Sequence, residues 1–303
     1  MSPPPSILII GLGELGTAIL HSLLSHPARP PTTQISLLRR PSSLTSPSPE
    51  TTHLASLGIT FEPGDFVHDP LPQLTTTFSK YHTVIQASGF GLPPGTQSRV
   101  SEAVLNAGVK RYFPWQFGLD YPAIGKGSDQ DLFDEMLAVR EMLAAQDKTG
   151  WTVVSTGLFM SFLVYEKGFG VVDLERRRVT ALGGWEDEVT VTEVGDIGRV
   201  VAELVYVPDG TEDKVVYVAG DTVSYGEVAE VLERVYGGEW RREVLSGDAA
   251  AEEARRKPGD GMAKYRSVFA AGKGTAWEVE RTVNYERGMK MVGLEEYVRR
   301  MKK

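Results

Sequence analysis

The chain of 303 residues contains no cysteine. That absence excludes disulfide bonds, thiolate metal sites and a cysteine nucleophile, and it is typical of proteins from a reducing compartment. Positive charge is also scarce, because 32 Lys and Arg stand against 40 Asp and Glu and give a net charge of −8. Affinity for nucleic acid depends on neutralised phosphates, so this balance argues against a nucleic-acid partner.

Histidines are few, and the apolar runs are short. The five histidines are scattered without the spacing of metal ligands, so we expect no metal. The first apolar run, residues 7–10, is too short to cross a bilayer, and no positively charged signal region precedes it. We therefore expect a cytoplasmic protein without a membrane partner, either a monomer or a homodimer.

The first half of the sequence alternates short β-branched segments with helical patterns. The candidate strands are Ile7–Ile10, Gln34–Leu38, Ile59–Glu62, Thr83–Gln86, Arg111–Phe113 and Thr152–Ser155. Helical spacing occupies Leu15–Leu24, Pro70–Phe78, Thr96–Ala107 and Asp131–Gln146. This alternation predicts an α/β fold with a doubly wound parallel sheet of the Rossmann type. The Pro- and Ser-rich stretch Pro41–Pro49 is predicted to be a surface loop.

Beyond Phe159 the regular alternation of strands and helices ends, and the pattern predicts a smaller α+β portion. Its predicted strands are Gly170–Asp173, Arg178–Ala181, Glu188–Thr192 and Val215–Val218, and its predicted helices are Ile197–Val205, Ser224–Tyr236, Ala249–Arg256 and Met262–Ala271. We therefore expect two domains, 1–157 and 158–303, with some of the later segments crossing back to the first sheet.

A glycine motif directly follows the first strand. Gly11, Gly13 and Gly16 fit the pattern G-x-G-x-x-G, with Glu14 and Leu15 opening the first helix. In this setting the first glycine permits a tight turn, the second lets a pyrophosphate approach the backbone, and the third allows close contact of helix and strand. The motif predicts a dinucleotide site, the alternative being a purely structural turn.

The end of the second strand selects the dinucleotide. An NAD site places a carboxylate there to bind the ribose hydroxyls, whereas this chain has Arg39 and Arg40. Guanidinium groups pair with a 2′-phosphate through charge-assisted hydrogen bonds. We therefore expect NADP(H) as the cofactor, unless one arginine is merely a solvated charge at the strand end.

Other small and aromatic residues follow the remaining strands at the edge where ligands of such sheets bind. Asp65 and Phe66 are predicted to flank the adenine, and Ser88 and Gly89 to pass near the nicotinamide ribose. The reacting end of the cofactor site is assigned to the segment after the fifth strand, namely Pro114, Trp115, Gln116 and Phe117.

Together, the glycine motif, Arg39 and Arg40, the segment from Arg111 to Gly118 (RYFPWQFG) and Val139–Arg140 resemble the NmrA-like and isoflavone-reductase-like branch of the atypical short-chain dehydrogenases, especially its fungal members. The similarity covers essentially the whole chain. It implies an NADPH-binding Rossmann domain, a smaller C-terminal substrate domain and, as in the plant reductases, hydride transfer to an aromatic enone or benzylic ether. In those reductases the strand-end motif is Pro-Ser-Glu-Phe-Gly, and a helical lysine acts as general acid or base.

This sequence departs from that pattern at the catalytic positions. Met136 stands where the family has its lysine, and Trp115–Gln116 replace the Ser-Glu pair. Methionine cannot exchange a proton at useful strength. The Tyr-x-x-x-Lys pair of ordinary short-chain dehydrogenases is missing as well, so the candidate proton donors become Tyr121 and Lys126 in the following loop. The non-catalytic alternatives are that Tyr121 serves only in packing and that Lys126 is a solvent-exposed charge on a loop.

A substrate pocket is predicted from aromatic and apolar residues near this edge. Its candidate members are Trp115, Phe117, Met136, Phe159, Tyr165, Tyr265 and Phe269. Plain core packing is the alternative for Phe117 and Phe159. The helix that carries Tyr265 and Phe269 is either a lid over the pocket or an ordinary packed helix.

Two functional classes fit these observations. The first is an NADPH-dependent reductase of a hydrophobic aromatic, enone or quinone-like small molecule, with the proton supplied by a loop residue or by water. The second is an NADP(H)-sensing regulator that does not turn over substrate, which the missing lysine favours. An isomerase or cyclase that keeps NADP only as a structural element is a third possibility.

Overall fold

The computed structural model describes residues 4–45 and 48–302. The elements up to residue 155 are β1 (Ser6–Ile10), α1 (Glu14–Ser25), β2 (Gln34–Arg39), α2 (Pro41–Leu44), α3 (Pro49–Ser56), β3 (Thr60–Pro63), α4 (Leu71–Phe78), β4 (Thr83–Gln86), α5 (Thr96–Asn106), β5 (Arg111–Phe113), α6 (Tyr121–Ile124), α7 (Asp131–Ala144) and β6 (Gly150–Ser155). All six predicted strands and the four predicted helices of this part are present, with ends shifted by a few residues.

The later elements are β7 (Leu158–Phe159), α8 (Met160–Tyr165), β8 (Val172–Asp173), β9 (Arg178–Leu182), β10 (Glu188–Thr192), α9 (Val194–Tyr206), β11 (Lys214–Tyr217), β12 (Asp221–Ser224), α10 (Tyr225–Tyr236), β13 (Arg241–Leu245), α11 (Gly247–Arg256), α12 (Gly261–Ala270), a 3-10 helix (Val279–Arg281), α13 (Val283–Glu286) and α14 (Leu294–Met301). A capping box starts α10, since the Ser224 hydroxyl accepts from the Glu227 N–H and the Glu227 carboxylate accepts from the Ser224 N–H.

The large sheet has the strand order β11-β6-β5-β4-β1-β2-β3. The five neighbouring pairs from β6 to β3 are parallel. This is the doubly wound Rossmann arrangement that the sequence predicts, and its order reverses between β1 and β4. The register places Ile10 opposite Leu38 of β2 and opposite Gln86 of β4, so the residues after these three strands leave the sheet at one edge.

A continuous apolar core fills the space around this sheet. Leu8, Ile10, Val84, Tyr112 and Val153 from the strands are buried against apolar residues of α4, α5 and α7, such as those at 78, 104 and 143. The strands are buried on both faces, which explains why their sequences read as continuous apolar runs rather than as alternating ones.

The chain divides into two compact units that do not follow a single cut. One unit comprises the described part of residues 1–116 with Ala138–Val154 and Ile197–Val216. The other comprises Phe117–Leu137, Ser155–Asp196 and the described part of residues 217–303. The sequence predicts a boundary at 157 with some later segments crossing back to the first sheet, and residues 197–216 lie in the first unit.

Two three-stranded sheets belong to the second unit, with the orders β12-β10-β7 and β13-β9-β8. The sequence reading missed β7, β12, β13, α8 and α14. It was also wrong about Pro41–Pro49 as a loop, because α2 and the start of α3 lie there, while Ser46 and Pro47 fall outside the described residues. Proline at the first turn of both helices explains the correction, since it suits that position. Among the described residues, each helix is too short or too polar to span a membrane.

Candidate functional site

The glycine motif forms the turn from β1 into α1. Gly11 has a φ of +95°, and a Cβ there would lie 2.3 Å from the Ser88 Cβ. A Cβ on Gly16 would lie 2.1 Å from the Gly11 carbonyl oxygen. These distances confirm the tight turn and the close helix-strand contact that the motif predicts. A side chain at either position would force the backbone apart.

Gly13 is different, because in the described part of the chain no heavy atom outside its immediate sequence neighbours and its own helix backbone lies within 4 Å of a Cβ placed on it. It is the N-cap residue of α1 and has an ordinary extended backbone, with φ −86° and ψ −162°. Packing and backbone strain therefore do not require glycine here. The residue leaves open space in front of a helix N-terminus, which is where an anion binds most favourably.

A cavity of about 420 Å³ opens beside this turn, within the first unit. The two arginines that follow β2 contribute to its wall, Arg39 part-buried and Arg40 exposed. The register of the sheet explains how residues far apart in sequence meet here, since the ends of β1, β2, β3 and β4 share one edge. The lining comprises Gly11, Leu12, Leu38, Arg39, Arg40, Ser43, Gly64, Asp65, Phe66, Val67, His68, Ser88 and Leu92.

Asp65, in the wall of this cavity, orders the turn that follows β3 by accepting hydrogen bonds. Its Oδ1 accepts hydrogen bonds from the N–H groups of Val67 and His68, and its Oδ2 lies 2.9 Å from Nδ1 of His68. Burial raises the pKa of Asp65, but the hydrogen bonds from His68 and Val67 outweigh it and hold that pKa below its ordinary value. The carboxylate therefore stays ionised and orders the turn after β3.

The segment after β4 is held against the segment after β5. A Cβ on Gly89 would lie 2.1 Å from Cδ2 of Trp115, so the indole rests directly on the glycine backbone. Next to it, the Gln116 side chain is buried and its Oε1 accepts a 2.6 Å hydrogen bond from Nε of Arg140. Gln116 therefore anchors the strand end to α7, whereas the neighbouring Trp115 is part-exposed.

A buried polar network behind this segment was missed by the sequence reading. The Tyr112 hydroxyl donates to Oε1 of Gln86 at 2.7 Å, and Nε2 of Gln86 donates to Oε1 of Gln97 at 2.5 Å. Nε2 of Gln97 is buried and has no hydrogen-bond partner within the described chain. It lies against Gly89, 2.4 Å from the place of a Cβ there. The glutamine at the end of an otherwise apolar strand was the available signal, because buried amides need partners.

The two candidate proton donors lie in different surroundings within the second unit. Tyr121 is 4% exposed, and its ring centroid lies 4.8 Å from that of Phe133. Lys126 is exposed, between two glycines with positive φ, Gly125 and Gly127. Tyr121 is thus fixed by packing, whereas Lys126 sits on a turn.

Two of the predicted pocket residues, Tyr265 and Phe269, belong to one aromatic cluster in the second unit. Tyr265 contacts Phe133 and Phe162 with ring centroids 5.5 and 6.2 Å apart, and Phe269 contacts Phe169 at 5.1 Å. Phe162 and Phe169 complete the chain of rings at 5.2 Å. Burial, and next the charge of Tyr121, raise the pKa of Tyr265 above its ordinary value. The raised pKa means that the Tyr265 phenol stays protonated.

The other predicted pocket residues do not share one environment. Met136 is fully buried and Phe117 is 6% exposed, so both act as core residues at these positions. Phe159 is part-buried at the end of β7. Tyr165 is 38% exposed, with its ring centroid 6.5 Å from that of Tyr297. The sequence could not separate these cases because aromatic residues suit both cores and pockets.

A second cavity, of about 560 Å³, lies within the second unit. Its aromatic wall is formed by Tyr217 and Trp277, whose ring centroids are 5.0 Å apart. The Tyr217 hydroxyl donates to Oδ2 of Asp120 at 2.9 Å. The remaining lining residues are Glu188, Thr222, Ala276, Glu278, Val279, Glu280 and Arg281. The sequence analysis assigned none of these residues to a site, since the cavity is assembled from four separate segments.

The sheet order and the cavity at its switch edge define a protein of the Rossmann-type α/β class. The chain belongs to the NmrA-like family, whose model matches residues 6–298. It is 49% identical over 299 residues, 97% of each chain, to an NmrA-like family domain-containing oxidoreductase of Gibberella moniliformis.

Solved structures show the same fold. The structure of AtPrR2 with NADP+ and (+)pinoresinol has a TM-score of 0.78 at 19% identity, covering 99% of this chain and 98% of that one. A crystal structure of isoflavone reductase also has a TM-score of 0.78, at 22% identity, with 98% and 99% of the two chains covered. The family resemblance predicted from the glycine motif and the strand-end segment is therefore confirmed.

Proposed function

We propose that the protein is an NADPH-dependent oxidoreductase that acts on a hydrophobic aromatic, enone or quinone-like small molecule. One observation carries the proposal: Gly11, Arg39, Arg40 and Ser88 line a single cavity beside the open N-terminus of α1. This cavity offers a helix N-terminus for a diphosphate and two guanidinium groups for a further phosphate.

The residues of the cavity fit NADP(H) by shape as well as by charge. The open space at Gly13 allows a diphosphate to approach the first turn of α1, with Glu14 and Leu15 contributing backbone N–H groups. Arg39 and Arg40 would hold the 2′-phosphate, and Phe66 would face the adenine. Ser88 and Gly89, backed by Trp115, would line the ribose next to the nicotinamide.

The relatives support the redox part of the proposal. The 49% identical fungal protein is named an oxidoreductase and matches this chain over nearly its whole length. AtPrR2, which shares the fold, binds NADP+ and (+)pinoresinol, and pinoresinol is an aromatic molecule. An aromatic substrate for this chain agrees with the aromatic wall of the second cavity, whose volume is typical of small-molecule sites.

When bound, NADPH supplies the hydride. The chain must hold the acceptor close and deliver a proton, and Met136 can do neither acid nor base chemistry at the lysine position. Tyr121 is the stronger candidate for the proton, because packing against Phe133 fixes its ring and a rigid donor keeps its geometry. Lys126 is exposed and would need the loop around it to move.

A second candidate function, an NADP(H) sensor without turnover, is supported by the surroundings of Met136. This residue, at the position where the resemblance implies the family's lysine, is fully buried. A regulator needs the cofactor cavity but no proton donor. The two functions therefore share the first unit's cavity and differ in whether a second ligand reacts.

Cofactor binding is tested by titrating NADPH and NADH against the wild type, Arg39→Ala, Arg40→Ala and the double variant. We expect the wild type to prefer NADPH and the double variant to lose most of that preference, since charge-assisted hydrogen bonds contribute roughly 1.5–3 kcal/mol each. Lys148→Ala, which removes an exposed cation of the same unit, is the control. Unchanged selectivity in the double variant would remove the phosphate assignment.

A screen of candidate substrates distinguishes the reductase hypothesis from the sensor hypothesis. Aromatic enones, quinones and benzylic ethers are incubated with protein and NADPH, and the loss of dihydronicotinamide absorbance is followed. Turnover of any of them at a rate that scales with protein concentration supports the reductase. NADPH binding with no turnover across the whole panel supports the sensor.

A further inference from the structure

Arg39, which lines the cavity of the first unit, has an acidic neighbour from another element. Nη2 of Arg39 lies 3.9 Å from Oε2 of Glu50, a residue of the first turn of α3. The Arg39 side chain is 22% exposed and the Glu50 side chain 58% exposed. The Glu50 carboxylate is therefore largely exposed and is not held in the core.

We propose that Glu50 sets how strongly the chain distinguishes phosphorylated from unphosphorylated dinucleotides, by competing with the 2′-phosphate for Arg39. The inference rests on the proposed function, because it takes the cavity to be the NADP(H) site. A 2′-phosphate and the Glu50 carboxylate are both anions that need the same guanidinium. Binding the phosphate requires Glu50 either to give up the ion pair or to remain as a like charge nearby.

Glu50 is suited to such a role by its place in the fold. Ser48 caps α3 by accepting from the N–H of Thr51, and Pro49 is at the first helical position, so the start of this helix is fixed without Glu50. An acidic residue in the first turn is nonetheless favourable for the helix. The carboxylate can therefore stay near Arg39 in the free protein and move into solvent when a phosphate arrives.

The charged groups of the cavity explain why Glu50 should affect only nucleotides that carry a 2′-phosphate. The charged groups among the lining residues are Arg39, Arg40, Asp65 and, when protonated, His68. Asp65 is engaged by the N–H groups of its own turn, whereas Glu50 approaches the arginine that would hold the phosphate. Removal of the Glu50 charge should therefore strengthen binding of nucleotides that carry a 2′-phosphate and leave the others unchanged.

The test uses two nucleotide fragments that differ only by the phosphate in question, adenosine 2′,5′-bisphosphate and adenosine 5′-monophosphate. Dissociation constants are measured by calorimetry for the wild type and for Glu50→Gln. We expect the variant to bind the bisphosphate about two- to five-fold more tightly, equivalent to about 0.4–1 kcal/mol, with the monophosphate unchanged. The gain should shrink at about 1 M salt, where the screening length falls to about 3 Å.

Two further variants keep the result interpretable. Glu102→Gln makes the same charge change at an exposed position of α5 and should leave both constants unchanged. Glu50→Asp keeps an acid in the first turn of α3 but shortens its reach, and it should fall between the wild type and Glu50→Gln. Thermal unfolding of each variant shows whether the helix start has been weakened.

The outcomes separate this inference from the proposed function. If the wild type prefers the bisphosphate but Glu50→Gln gains nothing or binds it more weakly, the competition is overturned and Glu50 instead pre-orders Arg39. If the wild type shows no preference for the bisphosphate, the cavity is not a 2′-phosphate site. In that case the cofactor assignment and the role of Glu50 both fall.

Discussion

The hydroxyl oxygen of Tyr121 lies directly over Gly118. A Cβ on Gly118 would stand 2.4 Å from that oxygen, far inside any tolerated contact. The Gly118 carbonyl oxygen also accepts hydrogen bonds from the N–H groups of Thr156 and Gly157, both 3.0 Å long. The last residue of the strand-end segment thus fixes a tyrosine that is the candidate proton donor.

This contact makes Gly118→Ala a sensitive variant. The added methyl group must displace the Tyr121 hydroxyl, so we expect the free energy of unfolding to fall by about 1–3 kcal/mol, as for other overpacked sites. Chemical denaturation measures it. Gly259→Ala is the matched control, because among the described residues no heavy atom beyond its chain neighbours lies within 4 Å of a Cβ there. Equal stability of the two variants would contradict the contact.

Substitutions at two glycines of the turn after β1 should have different effects on NADPH binding and on the stability of the fold. Gly13→Val has open space for its side chain and should leave the unfolding free energy within about 1 kcal/mol of wild type, while it blocks NADPH binding. Gly16→Val would meet the Gly11 carbonyl and should destabilise the fold severely. Thermal unfolding and NADPH titration on both variants check this. Normal NADPH affinity in Gly13→Val would refute the diphosphate site.

If Tyr121 delivers the proton, Tyr121→Phe should lower turnover by about 10²–10⁴-fold, the usual contribution of a general acid. Affinity for NADPH should stay the same, because the ring and its packing against Phe133 are kept. Lys126→Ala, at an exposed turn, is measured beside it. A large loss in Lys126→Ala alone would reverse the assignment, and wild-type rates in both would point to water as the donor.

A lysine at position 136, where the resemblance implies one, should destabilise the fold. Met136 is fully buried, so Met136→Lys places an uncompensated charge in the core and should cost roughly 3–5 kcal/mol of unfolding free energy. Met136→Leu, a volume-conserving control, should cost less than about 1.5 kcal/mol. A stable and more active lysine variant would show that this position opens to a ligand after all.

The turn at Asp65 predicts a pH dependence of stability. Its pKa is held below the ordinary value in the folded chain, so the carboxylate stabilises the fold above the unfolded-state pKa of about 3.9. That contribution is lost as the pH falls through the folded-state pKa. The difference in unfolding free energy between wild type and Asp65→Asn should therefore be largest near neutral pH and shrink in acid. Asp147→Asn, at an exposed position, is measured beside it as a second carboxylate-to-amide change.

Much of the first unit could be read from the sequence. Strands such as Thr83–Gln86 were predicted with their actual ends, and the glycine motif and Arg39 were placed correctly at one edge. These signals are local: β-branched runs, glycines at fixed spacing and charges at a strand end act within a few residues. The register of a parallel sheet then carries them to the same edge.

The second unit shows where such reading stops. Strands β12 and β13 and helix α14 were missed, and the cavity around Tyr217 and Trp277 draws on four segments that no sequence spacing connects. Aromatic and apolar residues were predicted to line a pocket, and two of them, Phe117 and Met136, are buried. Periodicity tells which residues are apolar but not which of them face open space.

The amino-acid sequence alone determined the sheet, the glycine turn and the family, because those depend on local patterns that survive in any fold of this kind. Only the tertiary structure decided that Gly13 faces open space while Gly16 faces a carbonyl, that Tyr121 is packed and Lys126 exposed, and that Glu50 stands beside Arg39. Each of those facts is a distance between residues from separate elements, and such distances are set by packing rather than by any motif.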